Sequence, residues 1–148
     1  MSNIQAKQAE FMVMAQQRVA KLRDVVSAKG PMKDSELYMN LCEEEFDELR
    51  KAFVIYSNAI RPDERLAALS ELLDGVCDLA VTMMGVCNSL GLPFDAAFHE
   101  VHKSNMNKFT MVDGQYKILK RVDGKVVKPH DWTPPNLMSI LKYYLINE

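Results

Sequence analysis

Carboxylates are the residues in this sequence whose type and spacing could do chemistry. Glu43, Glu44, Glu45, Asp47 and Glu48 fall within six residues. On a helix, Glu44 and Glu48 stand four apart and Glu45 and Glu48 three apart, so these three share a face. Like charges at that spacing repel, and taken alone such a run is a solvated acidic face. A second set changes the balance. Glu71, Asp74 and Asp78 follow at i, i+3 and i+7 and interrupt the most apolar segment of the chain. An ionised carboxylate in an apolar layer is costly unless something positive neutralises it. Arg50, Lys51, Arg61 and Arg65 lie toward the ends of the helices concerned and offer little help. A divalent cation between the two stripes is the economical solution, and all-oxygen ligands favour Mg2+, or Mn2+, over zinc. A di-iron bundle needs Glu-x-x-His on two helices, which is absent. His99 and His102 stand three apart, which is not the HExxH spacing of zinc proteases, and both read as ordinary helix residues.

The elements that must position these carboxylates are helical. Glycine and proline are absent from 3–28 and from 32–60, and Gly75 and Gly85 alone interrupt 63–90. This predicts three helices separated at Gly30–Pro31 and Arg61–Pro62. In the first, Phe11, Met14, Ala15, Val19, Leu22 and Val26 recur at helical spacing. In the second, Leu37, Leu41, Cys42, Leu49, Ala52, Phe53 and Tyr56 do so. The third is apolar almost all round, from Leu66 to Leu90, which predicts burial on every side. In a chain this small, that implies a second subunit over part of it. Gly91–Leu92–Pro93 ends the third helix. A fourth is expected over 94–108, with Asp95 as its cap. Asp113–Gly114 and Asp123–Gly124, flanked by apolar runs, are hairpin signals. The segment from Trp132 to Pro135 reads as irregular, and 136–146 as a short closing helix.

Composition sets the outer bounds. At 148 residues the chain is long enough to bury about 68–70% of its unfolded surface in one core. The formal net charge of -2 lacks the basic excess of a duplex-binding domain, so no nucleic-acid partner is expected. Cys42, Cys77 and Cys87 are odd in number and form no CxxC pair, which argues for three reduced, buried thiols in a cytoplasmic protein. The N-terminus is polar and lacks the apolar core of a signal peptide. The apolar stretch 76–90 is broken by Asp78, Thr82, Asn88 and Ser89, so no membrane partner is expected.

In order along the chain, these motifs resemble a known family. Glu44-Glu45-x-x-Glu48 followed by Glu71-x-x-Asp74 is similar to the EExxE…ExxD signature of all-α nucleoside triphosphate pyrophosphohydrolases, the MazG-like and phosphoribosyl-ATP pyrophosphohydrolase-like proteins. Phe98 to Lys108 contains EVHKSNMNK, which resembles the EVHxSNMxK segment of bacterial and phage MazG-like members. Asp123 to Lys128, with Trp132 and Pro135, resembles that subgroup's DGKxxKPxxWxPP tail. Glu10–Phe11 with Gln16–Gln17 resembles its first helix. The likeness spans nearly the whole chain. One departure stands out. Aligned on Leu90–Gly91, the motif aspartate is Asp78, and the glutamate expected three residues earlier is Gly75. Asp74 then supplies the second ligand, and Glu71 becomes an outer ligand or a surface residue.

The resemblance implies an all-α, MazG-like four-helix bundle core with a small C-terminal β-hairpin and irregular tail, assembled as a homodimer or homotetramer. Residues 1–148 form one domain in this reading, with a helical core over about 4–108 and the hairpin and tail over about 109–148. It implies Mg2+-dependent hydrolysis of an NTP or dNTP to the monophosphate and pyrophosphate, by water attack at the α-phosphate. Glu45, Glu48, Asp74 and Asp78 become the metal ligands, and Glu44 a further ligand or the general base. Asn105 and Lys108 become phosphate contacts, with Lys103 as a weaker candidate and Lys125 and Lys128 able to close from the tail. Trp132 either stacks on a base or packs beside the prolines. Gln16, Gln17 and Asn40 are candidate amide contacts for a base. Two other readings stay open. One is a catalytically inactive helical dimerisation or adaptor module, with Gly75 marking a lost ligand. The other is a phosphoribosyl-ATP pyrophosphohydrolase.

Overall fold

The computed structural model describes residues 3–30 and 32–147. Met1 and Ser2 of the polar N-terminus, and Pro31 of the expected Gly30–Pro31 separator, lie outside the described residues. Among the described residues six helices and one hairpin are formed: α1 Ile4–Met14, α2 Leu22–Ser27, α3 Lys33–Asn58, α4 Pro62–Ser89, α5 Phe94–Met106, β1 Thr110–Val112, β2 Gln115–Lys117 and α6 Leu137–Asn147. The chain divides into two compact units at Leu92/Pro93. No single helix among the described residues is long and apolar enough to cross a membrane.

In the first unit α4 packs against both α3 and α1. Asn3 caps α1, its Oδ1 accepting from Gln5 N at 2.8 Å. Pro62 opens α4, where its missing N–H costs nothing, and Glu64 reaches back to Arg61 N at 3.2 Å. At its far end α4 closes with Gly91 at φ 62°. Leu92 N donates to Cys87 O at 2.8 Å and Gly91 N to Asn88 O at 3.4 Å, the paired bonds that satisfy a helix's last carbonyls.

The continuous first helix expected over 3–28 is instead two. α1 stops at Met14, and Gln16 takes the left-handed conformation at φ 58°. Gln17 N donates to Met12 O at 2.8 Å and Gln16 N to Val13 O at 3.1 Å, the same closing geometry that α4 builds with glycine. Contacts from α3 hold the break. Tyr38 O–H donates to Gln17 Oε1 at 2.7 Å and accepts from Gln8 Nε2 at 3.1 Å, while Arg18 N donates to Asp34 Oδ2 at 2.9 Å. The apolar face shifts accordingly. Met12, Ala20 and Leu22 are buried, whereas Phe11, Met14 and Val26 are exposed.

Two smaller expectations are also corrected. Asp95 lies inside the first turn of α5 and does not cap it; Pro93 stands at the cap, with no side-chain bond. An acidic residue there still favours the helix dipole. Cys77 is exposed, while Cys42 and Cys87 are half-buried, and all three thiols are free. Within one chain Leu66, Leu73 and Val76 of α4 are exposed, which leaves that part of the helix to the expected second subunit.

The second unit packs α6 on α5 and carries the hairpin. β1 and β2 pair antiparallel with Met111 opposite Tyr116. Asp113 and Gly114, at φ 52° and 76°, make the two-residue turn whose twist matches the strands. The second turn signal forms less: Gly124 takes φ 84°, but Lys120 and Val126 make only an isolated bridge.

Candidate active site

Two close approaches set the register of the antiparallel α3–α4 pair. A Cβ on Gly75 would meet Leu49 Cα at 3.4 Å, and one on Gly85 would fall 2.1 Å from the Tyr38 ring. Tyr38 to Leu49 of α3 therefore runs alongside Gly85 to Gly75 of α4. This register sets Glu45 level with Asp78, and Glu48 level with Gly75. Gly75, the departure from the expected motif, is a point of close helix contact.

A cleft of about 290 Å³ opens on this pair, lined by Glu48, Lys51, Ala52, Ile55, Glu71, Asp74, Gly75 and Asp78. Glu45 is half-buried beside it. Burial, then the charges of Asp78, Glu48, Glu44 and Asp74, push the Glu45 carboxyl above its usual range. Glu71 lines the cleft. The structure thus brings Glu44, Glu45, Glu48, Asp74 and Asp78 into one electrostatic cluster, with Glu71 along the cleft.

Among the described residues no ion pair engages the cluster. The ion pairs among the described residues are Arg18–Asp24, Arg50–Asp47, Arg61–Asp63, Arg61–Glu64 and Arg121–Asp123. Arg50 therefore turns to the other side of α3. Lys51, expected toward a helix end, lines the cleft without an ion pair. Among the described residues no three Asp, Glu, His or Cys side chains close around one point. The donor chemistry is plain: carboxylate oxygens from two helices, engaged by no ion pair, which suit a hard divalent cation.

With that arrangement in view, comparison with known families is decisive. The family profile described as phosphoribosyl-ATP pyrophosphohydrolase matches residues 9–105. The chain belongs to this family. It is a pyrophosphohydrolase of the MazG-like superfamily. A search of curated proteins finds no match. The matched stretch of this pyrophosphohydrolase covers both carboxylate stripes and ends at Asn105, so Lys108, Lys125, Lys128 and Trp132 lie beyond it.

The candidate phosphate contacts belong to the second unit. Asn105, Lys103, Lys125 and Lys128 are exposed and Lys108 is half-buried. Lys108 Nζ–H donates to Asn105 Oδ1 at 2.6 Å. Lys125 N donates to Asp123 Oδ1 at 3.1 Å, a turn bond. Trp132 packs, its Nε1–H donating to Ser104 O at 2.8 Å. His99 and His102 are exposed helix residues, as expected. Of the candidate base contacts, Gln16 and Asn40 are exposed, and Gln17 is engaged by Tyr38. Sequence reasoning missed Lys51, Ala52 and Ile55 as cleft residues. The signal was their spacing of one and two turns from Glu48, which becomes informative only once the register with Glu71 and Asp74 is known.

Proposed function

We propose that this pyrophosphohydrolase converts a nucleoside triphosphate, ribo- or deoxyribo-, to its monophosphate and pyrophosphate with a divalent cation, Mg2+ or Mn2+. The observation that carries this is the uncompensated carboxylate cluster across α3 and α4, whose members raise Glu45's affinity for a proton. Glu45 and Glu48 from α3 and Asp74 and Asp78 from α4 hold the cation, with Glu71 as an outer carboxylate. The α3–α4 register and the charges acting on Glu45 favour the Asp74/Asp78 pairing. These carboxylates would hold a divalent cation, which would supply neutralising charge to the phosphate oxygens as the reaction proceeds.

The residues do the rest. Glu44 Oε accepts the proton of the attacking water. The water oxygen bonds to the α-phosphorus, and the bond to the β-bridging oxygen breaks, releasing pyrophosphate. Asn105 and Lys108 contact phosphate oxygens, with Lys103, Lys125 and Lys128 as further cations. The exposed Leu66, Leu73 and Val76 of α4 support a homodimer or homotetramer, since an exposed apolar face of that extent marks an interface.

The family's description names phosphoribosyl-ATP, and this gives the second reading. The tail's likeness to the MazG-like subgroup favours a simple nucleoside triphosphate. Turnover in oxygen-18 water tests the chemistry. Label in the monophosphate product supports attack at the α-phosphorus. Label in the pyrophosphate, or release of orthophosphate alone, refutes it.

A further inference from the structure

The buried side chains of α1 are Met12 and Gln8, and Gln8 is only 4% exposed. A buried amide has both an NH2 group and an oxygen to place. Gln8 Nε2 donates to the Tyr38 hydroxyl at 3.1 Å. Tyr38 is buried too, and its single proton goes to Gln17 Oε1 at 2.7 Å. Toward Gln8 the tyrosine oxygen can therefore only accept. Turning the Gln8 amide over would set its oxygen against the tyrosine oxygen with no proton between them. Gln17 is held in turn by the left-handed residue Gln16 and by its own N–H to Met12 O at 2.8 Å. The relay from Gln17 through Tyr38 fixes which way the Gln8 amide faces.

Gln8 Oε1 accepts from no group among the described residues, yet none of their buried side-chain polar atoms is left unsatisfied. This oxygen is therefore reached from outside. What reaches it is a pocket of about 280 Å³ lined by Ile4, Lys7, Gln8, Phe11 and Val81. Residues 4, 7, 8 and 11 make one face of α1. Apart from the Gln8 amide and Lys7 the lining is apolar, and Phe11 is 59% exposed. Val81 continues the face of α4 that carries Asp74 and Asp78, one turn, about 4.5 Å, beyond Asp78. The pocket and the carboxylate cluster are thus neighbours along one helix face, and both lie in the first unit.

We propose that this pocket takes the base of the nucleotide, and that Gln8 Oε1 selects a base with an exocyclic amino group, cytosine or adenine, over its oxo counterpart, uracil or hypoxanthine. Phe11 stacks on the base, and Tyr38 is the positioning residue that keeps Gln8 an acceptor. A free glutamine discriminates poorly, because its amide can present either end. One locked as an acceptor discriminates well. An amino group donates to it, whereas a carbonyl oxygen at the same place meets a second oxygen and leaves both unpaired. Stacking tolerates any base, so the preference falls to Gln8. The inference rests on the reading of the chain as a nucleoside triphosphate hydrolase and adds the class of base, but its test needs no turnover.

Calorimetry of the full chain with Mg2+ compares matched pairs of nucleoside monophosphates, CMP with UMP and AMP with IMP, which differ by amino against oxo. In at least one pair the amino member should bind at least about tenfold more tightly. Gln8→Met should bring that ratio to within about twofold by weakening the amino member. Tyr38→Phe should lower it by the opposite route. The freed amide can turn and donate, so the oxo member should bind about threefold more tightly than to wild type. Lost packing alone would weaken both members alike. Phe11→Ala should weaken both by about fivefold or more and leave their ratio unchanged. Equal binding within both pairs, tighter binding of the oxo members, no binding of any of the four, or an unchanged ratio in Gln8→Met overturns the proposal. A chain that shows the preference but releases pyrophosphate from no triphosphate refutes only the proposed function. One that releases it from CTP and UTP, and from ATP and ITP, at equal kcat/KM refutes only this site.

Discussion

Gly85→Ala tests the register on which the cluster depends. The added Cβ would fall 2.1, 2.2 and 2.6 Å from Tyr38 ring carbons, well inside any tolerable contact. Tyr38 is 2% exposed and cannot swing into solvent. Its hydroxyl is tied to Gln17 at 2.7 Å and Gln8 at 3.1 Å. Overpacking of this kind costs about 1–3 kcal/mol. Displacing the ring also strains two hydrogen bonds, each worth about 0.5–1.5 kcal/mol. Alanine's better helix propensity returns about 1 kcal/mol. The net loss is about 1–5 kcal/mol, read as a fall in urea midpoint at unchanged m-value. Gly75→Ala supplies the contrast. Its Cβ would meet Leu49 at 3.4–3.6 Å, ordinary contact, so the helix term should win and stabilise by about 0.5–1 kcal/mol. With Tyr38→Leu in the background, Gly85→Ala should lose most of its penalty, a coupling of at least about 1 kcal/mol. A Gly85→Ala chain as stable as wild type would refute the Tyr38–Gly85 packing, and with it the pairing of Glu45 with Asp78.

Other outcomes follow from the same geometry. Mg2+ or Mn2+ should raise the melting temperature, and Asp78→Asn should abolish that shift while leaving the metal-free protein as stable or more stable, because it removes a like charge facing Glu45; scanning fluorimetry with and without EDTA reads both. Gly91→Ala should destabilise by at least about 2 kcal/mol in urea titrations, since its φ of 62° is strained for alanine and the Cβ would sit 2.4 Å from Leu22 N. Burial, then Cys42, pushes the Cys87 thiol above its usual 9.0, so less of it is thiolate at pH 8. Iodoacetamide followed by peptide mapping should label exposed Cys77 faster than Cys87.

The long helices were legible because α3 and most of α4 carry helical periodicity without prolines, and the Asp113–Gly114 turn because its dipeptide demands positive φ at both positions. The break at Gln16 was not. It uses a glutamine where glycine is usual, and it is held by Tyr38 and Asp34 from another helix, contacts that no local pattern announces. Both carboxylate stripes could be seen as stripes. That Asp78 stands level with Glu45 depends on the helix register, which Gly75 and Gly85 set through their missing side chains. Gly75 looked like a lost ligand because a glycine's packing role is invisible without its neighbour, Leu49. The open oxygen of Gln8 likewise depends on the bond its amide makes to Tyr38.

Pyrophosphate release measured across NTPs, dNTPs and phosphoribosyl-ATP, with Mg2+, Mn2+ or EDTA and beside Asp78→Asn, tests the central claim most directly. The account predicts release from at least one nucleoside triphosphate that requires the metal and falls at least about a hundredfold in the variant. Release that persists in EDTA or in Asp78→Asn, or a folded, metal-supplied protein that releases none from any substrate, would contradict it.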